Sequence, residues 1–208
     1  MHENQSLVPY KTHLAKDKIL QALMAGHPGF EVAKKKNIFL FLCDSIIGQQ
    51  LSIKVAAIIF QRFLGLLPTK DPKPQEIADL PYETLRTIGL SHSKVSYIKN
   101  TCTFFIEHQI TDNQLHRMRN EDVVEYLTQI KGVGTWTVEM VLMFALGRED
   151  VFSSSDLGLQ KAMSHLYSID YQSKKDLQEK MQAIAKGWSP YRTYACLYLW
   201  KYFDKTDG

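Results

Sequence analysis

Apolar residues return at the three- and four-residue spacing of a helix along almost the whole chain, and hardly any stretch alternates as a strand would. Val55, Ile58, Ile59, Phe63 and Leu66 keep that spacing, and so do Val95, Ile98, Cys102 and Phe105. The same rhythm runs through Val123, Val124, Leu127 and Ile130, with Asn120 as the expected cap, and resumes in Val138, Val141, Leu142 and Ala145. The fold class this pattern dictates is all-α. Breaks are expected at Pro68 through Pro74, Pro81, Gly89-Leu-Ser91, Thr111-Asp-Asn113, the glycine pair near 132 and Gly187-Trp-Ser-Pro190. They cut the chain into about ten helices, ordinary for helices averaging about 11 residues.

Between the last two helical runs lies Leu127-Thr-Gln-Ile-Lys-Gly-Val-Gly-Thr-Trp-Thr137. Glycine at 132 and 134 is expected to give the turn positive φ and to bring the first N–H groups of the second helix close to a ligand. A phosphate oxygen suits such a place; a purely structural turn is the other reading. Asp156 follows twenty-two residues after Gly134, behind Val151-Phe-Ser-Ser-Ser155 and ahead of the helical-looking Leu157-Gly-Leu-Gln-Lys161. That position is one where aspartate serves as an N-cap, and a helix start also favours negative charge, so cap and chemistry are compatible.

Composition narrows the function classes. At 208 residues and 45% hydrophobic content the chain can bury a core without staples, while a formal charge of +3 leaves any nucleic-acid footprint to local placement of Lys and Arg. Cys43, Cys102 and Cys196 are far apart and odd in number, against a disulfide framework, a zinc site or an iron–sulfur cluster. The N-terminus lacks a signal-peptide pattern, and the run Ile38-Phe-Leu-Phe-Leu-Cys43 is far shorter than the roughly 20 residues of a membrane span. A cytoplasmic protein with no membrane role is expected, nucleoid-associated if bacterial.

The hairpin and its following aspartate resemble the helix-hairpin-helix DNA glycosylase superfamily (HhH-GPD). Three further blocks resemble its 3-methyladenine DNA glycosylase II branch: Ile46-Ile-Gly-Gln-Gln-Leu-Ser52 with Lys54, Leu85-Arg-Thr-Ile-Gly-Leu-Ser91 with Lys94, and Trp188-Ser-Pro-Tyr-Arg192 through Tyr198-Leu-Trp200. The four blocks stand in order across residues 38 to 203. The resemblance implies one glycosylase domain over residues 1–208, a lobe of 37–147 ending in the hairpin and a second of 1–36 plus 148–208, with a DNA- and base-binding cleft between them. The compact form is expected, without the four-cysteine loop that some relatives carry and without the extra N-terminal β-rich domain that others have.

By the same resemblance, Asp156 is the catalytic carboxylate, stabilising positive charge on the sugar as an N-glycosidic bond breaks. Trp136 stands where relatives that also cut the strand carry a nucleophilic lysine, which implies a monofunctional, hydrolytic enzyme. Trp136 and Trp200 match base-pocket positions, although tryptophan at helical spacing is also a common core residue, the reading taken for Trp188. Gln50, with Leu51 as the alternative, matches the side chain that wedges into the duplex when a nucleotide is flipped; a polar connection ahead of Ser52 as N-cap is the competing reading. Gly132, Gly134 and Lys131 would meet DNA phosphate, and the carbonyls of Thr128, Ile130 and Val133 would hold Na⁺ or K⁺, with no other cofactor. Arg192 reads as structural. The implied reaction is excision of alkylated purines, 3-methyladenine first and 7-methylguanine second, from double-stranded DNA in base excision repair, by a monomer. Where the family usually has a proline and a second acid, this chain has Ser154 and Ser155. A non-catalytic hairpin module that recognises abasic or distorted DNA is therefore the alternative.

Overall fold

The computed structural model describes residues 9–69 and 71–206, so the first eight residues of the expected second lobe and the last two of the chain lie outside it. The described residues are helical with no strand, as the spacing of apolar residues requires. In chain order the helices are α1 Pro9–Leu14, α2 Lys18–Met24, α3 Ile38–Gly48, α4 Ile53–Leu64, α5 Pro74–Ala78, α6 Tyr82–Thr87 and α7 His92–Glu107. They continue as α8 Asp112–Arg117, α9 Asn120–Leu127, α10 Thr135–Phe144, α11 Leu157–Leu166 and α12 Lys174–Ala185; a 3₁₀ turn, Lys186–Trp188, precedes α13 Arg192–Thr206. Two compact units arise from this chain: Lys34–Leu146 forms one, and the segments up to Ala33 and from Gly147 form the other.

In the Lys34–Leu146 unit α3 is the central helix. It is apolar on most sides, burying Ile38, Phe39, Leu42, Cys43, Ile46 and Ile47, and packs against α4, α7 and α10. A helix apolar on most sides belongs in the middle of a core. On α7 the expected Val95, Ile98, Cys102 and Phe105 are all buried. On α4 only Ile59 and Phe63 are buried, while Ile53, Val55 and Ile58 are exposed, Ile53 at 88%. The apolar spacing there outran the face that the neighbouring helices cover. Asn120 is not a cap but the first residue of α9; Arg119 stands before it and donates to Asp122 at 2.9 and 2.7 Å, closing the helix start by an ion pair instead.

In the other unit α11 and α2 both pack on α13. Asp17 organises this core: it caps α2 through Ile19 and Leu20 N–H groups and accepts from the Tyr167 hydroxyl at 2.9 Å and from the indole N–H of buried Trp188 at 3.0 Å. Trp188 is thus a core residue whose one polar atom is satisfied. The segment leading to Asp156 is pinned by α13. Buried Thr193 accepts the Val151 N–H at 3.1 Å and donates to the Arg148 carbonyl at 2.7 Å, and Arg192 grips Asp150 through Nε at 2.6 Å and its terminal nitrogen at 3.0 Å.

Asp150 has a pH consequence. Burial acts to raise its pKa, but the hydrogen bonds from Arg192 and Ser189 outweigh this and hold it below the ordinary carboxylate range. A depressed folded pKa contributes stability above the unfolded value, about pH 4, and that contribution is lost as pH falls through the lower folded value. Asp150→Asn should therefore flatten the fall of melting temperature below about pH 4 and lower the melting temperature by only a few degrees at neutral pH, since the pair is about one-third exposed. An acid limb as steep as that of the native chain would show that other carboxylates set it.

All three cysteines are buried and none forms a disulfide. Among the described residues no helix is long and apolar enough to cross a membrane.

Candidate functional site

The hairpin turn is built by α9 ending and α10 starting within seven residues. Thr128 closes α9 through its own N–H and hydroxyl, both donated to the Val124 carbonyl, and the Val133 N–H returns to the Ile130 carbonyl at 3.0 Å. Gly132 has φ +103°, where an L side chain is strained, and the Tyr97 ring from α7 lies on it so closely that a Cβ would fall 2.1 Å from the ring carbon Cγ. Gly134 corrects the sequence expectation: its φ is −96°, which any residue adopts, so positive φ is not its reason for being glycine. A Cβ there would meet no protein atom within 4 Å. Glycine leaves open space at the start of α10, where the Gly134 and Thr135 N–H groups have no helix carbonyl behind them and the helix dipole favours an anion. Lys131 is exposed beside this space.

The connection between α3 and α4 sends its two glutamines in different directions. Gln49 turns inward: its side-chain amide donates to the Gly132 carbonyl at 3.2 Å, with the Thr137 hydroxyl 3.5 Å away. Gln50 is exposed and has φ +58°, a left-handed conformation uncommon outside glycine and often found at functional sites. Leu51 is also exposed, and Ser52 caps α4 by accepting the Val55 N–H. Leu51 and Trp136 line one pocket of about 380 Å³ together with Asp44, Ser45, Gly48 and Phe60. Burial pushes the Asp44 carboxyl up from its ordinary pKa, against the opposing charge of Lys35. Trp136, in the first turn of α10, is 39% exposed, so its ring does not belong to the hydrophobic core.

Asp156 and Trp200 meet in the other unit. Asp156 caps α11, its Oδ1 accepting the Leu159 N–H at 2.9 Å, and the Trp200 indole N–H from α13 reaches the same oxygen at 2.8 Å. The expected cap and the expected catalytic carboxylate are thus one residue, oriented by two donors. Gly158, which the sequence reading passed over, makes room for this pairing: a Cβ there would stand 3.2 Å from both Asp156 Oδ1 and Trp200 Cδ1. Ser154 is fixed by Gln160, donating to its carbonyl at 2.8 Å, and by Gln182, donating to its hydroxyl at 3.1 Å. Gln160 and Gln182, on α11 and α12, hold the segment before the aspartate in place.

Residues 43–188 match the family model described as HhH-GPD superfamily base excision DNA repair protein. The protein YfjP of Bacillus subtilis is 36% identical over 188 residues; the match covers 88% of this chain, which spans 64% of YfjP's length. The solved structure of Schizosaccharomyces pombe 3-methyladenine DNA glycosylase, Mag1, in complex with abasic DNA superposes with a TM-score of 0.83 at 31% identity, covering 97% of this chain and 99% of that one. The crystal structure of DNA-3-methyladenine glycosidase from Bacillus halodurans gives 0.79 at 38% identity, covering 94% and 89%.

Proposed function

Because the chain belongs to the HhH-GPD superfamily of base excision DNA repair proteins, we propose that it is a monofunctional DNA glycosylase that excises alkylated purines, 3-methyladenine before 7-methylguanine, from double-stranded DNA. The observation that carries this reading is Asp156, held by the Leu159 and Trp200 N–H groups at 2.9 and 2.8 Å in a chain that also has the glycine hairpin. The two solved relatives described above, both named as 3-methyladenine glycosylases or glycosidases and one of them in complex with abasic DNA, support both the reaction class and DNA as the partner.

In this reading the Gly134 and Thr135 N–H groups grip a phosphate of the damaged strand, with Lys131 close by, and Gln50 enters the duplex as the nucleotide leaves the stack. The few kcal/mol lost on unstacking are partly offset by that wedge. Trp136 offers an aromatic face to the extruded base, and a methylated purine, being cationic, gains about 0.5–2 kcal/mol from it over a neutral one. The methylated base is already a good leaving group, so the N-glycosidic bond breaks with its electron pair going to the base and positive charge building on the sugar. The Asp156 carboxylate stabilises that charge and orients the water that completes hydrolysis. Trp136 carries no amine for a Schiff base, so the strand remains uncut at the abasic site.

The turn also suits a monovalent cation. Thr128, Ile130 and Val133 offer carbonyl oxygens, donors fit for a hard ion such as Na⁺ or K⁺, and Ile130 would share its oxygen between the ion and the Val133 N–H it already accepts. Such an ion would add positive charge beside the phosphate.

The test is chemical. Methylated duplex incubated with the protein should gain sites that break in hot alkali while the untreated strand remains intact, and borohydride should trap no covalent complex. Strands that bind tightly as abasic duplex but gain no alkali-labile site would favour the non-catalytic module, for which the Ser154-Ser155 departure is the observation in favour. Trp200→Phe, which keeps a ring but removes the donor to Asp156, should slow single-turnover release about tenfold, the size of one charge-assisted hydrogen bond. An unchanged rate would leave Trp200 as packing alone.

A further inference from the structure

Gln49 joins two places on the Lys34–Leu146 unit that the reading above uses separately. One is the segment carrying Gln50; the other is the glycine turn that faces phosphate. The end of α3 is fixed first: its last carbonyls lack helical donors, and the Lys94 ammonium from α7 takes the Ile47 carbonyl at 2.8 Å. The backbone then turns through Gln49, whose N–H returns to the Ile46 carbonyl, and through the left-handed Gln50, and the Leu51 N–H returns to Gly48 at 3.1 Å. At that bend the Gln49 amide leaves its own segment and donates to the Gly132 carbonyl, 83 residues away. The far side of the turn is braced by α7, through the Tyr97 ring on Gly132 and through Asn100, which donates to the Lys131 carbonyl at 3.3 Å.

We propose that Gln49 is a positioning residue that latches the Gln50 segment to the phosphate-facing turn, so that gripping the DNA backbone at Gly134 and Thr135 sets how far Gln50 enters the duplex. Without the latch the two elements remain, each in its own place, but the wedge is no longer referenced to the phosphate. The proposal rests on the DNA-binding half of the reading above and not on base release.

The experiment uses duplex DNA with 2-aminopurine beside a tetrahydrofuran abasic site, whose fluorescence reports unstacking with no bond broken. Gln49→Met keeps the length of the side chain and removes the donor. It should slow unstacking about tenfold while the affinity for undamaged duplex, its salt dependence and the melting temperature stay within about twofold or a few degrees of native. Gln50→Ala should slow unstacking to a similar extent, and the double variant should be no slower than either single one, because both act on one step. Gln49→Glu is the second variant: the carboxylate meets the Gly132 carbonyl without a donor, and protonating it at low pH restores one. Unstacking by Gln49→Glu should therefore recover relative to native as pH falls. Three results would overturn the latch: native-like unstacking by Gln49→Met, a parallel loss of affinity for undamaged duplex, or losses that multiply in the double variant. If the native protein unstacks the probe yet releases no alkylated base, the latch stands and the glycosylase reading fails.

Discussion

Asp156→Asn is expected to slow single-turnover release of an alkylated base by about 10²–10³-fold, the cost of removing one preorganised charge from a developing cation. The substitution is unusually clean. Asparagine keeps an oxygen for the Leu159 N–H and the Trp200 N–H, so α11 keeps its cap and α13 its contact. The melting temperature should move by no more than a few degrees, since asparagine caps a helix about as well as aspartate. Affinity for abasic duplex should hold or rise, because a negative charge is removed from a protein proposed to bind a polyanion. Loss of rate with retained folding and binding separates a catalytic carboxylate from a mere cap; a rate within about fivefold of native would leave Asp156 as a cap alone.

The second large effect is at the hairpin. Gly132→Ala puts a Cβ 2.1 Å from the Tyr97 ring at φ +103°. Strain and overpacking together should cost about 3 kcal/mol, and the turn must move to relieve them. Duplex affinity should fall by more than about 100-fold as the turn's N–H groups lose their alignment. Gly134→Ala provides the contrast. With φ −96° and no protein atom within 4 Å of the new Cβ, its stability should change by less than about 1 kcal/mol. Its methyl group would nevertheless occupy the space proposed for phosphate, so affinity should fall with the fold intact. Thermal unfolding paired with duplex titration reads both variants. Equal destabilisation by the two alanines would mean that Gly134 is structural too.

Much of this molecule could be read from local spacing. The apolar rhythm of α7 and α10, the glycine turn, Ser52 as a cap and Asp156 as a cap all depend on residues three or four apart, the range over which a helix encodes itself. The failures lie where tertiary packing decides. Val55 and Ile58 have core spacing but no helix covers them, and Gly134 shares a motif with Gly132 yet has neither its positive φ nor its close neighbour. Contacts at long sequence separation left no trace in the spacing: Trp200 reaches Asp156 from 44 residues away and Gln49 reaches Gly132 from 83. Gly158 carried a usable signal, a residue with no side chain in the first turn after a capping acid, although the reason is the packing of the Trp200 indole and the Asp156 carboxylate against it.

The most direct measurement is chromatographic identification of the bases freed from dimethyl-sulfate-treated duplex in a single turnover with native protein in excess. The expected result is free 3-methyladenine, followed more slowly by 7-methylguanine, with one abasic site formed for every base released and the strand uncut. Native protein that folds, binds abasic duplex with steep salt dependence and frees neither base above the spontaneous rate would contradict the assignment.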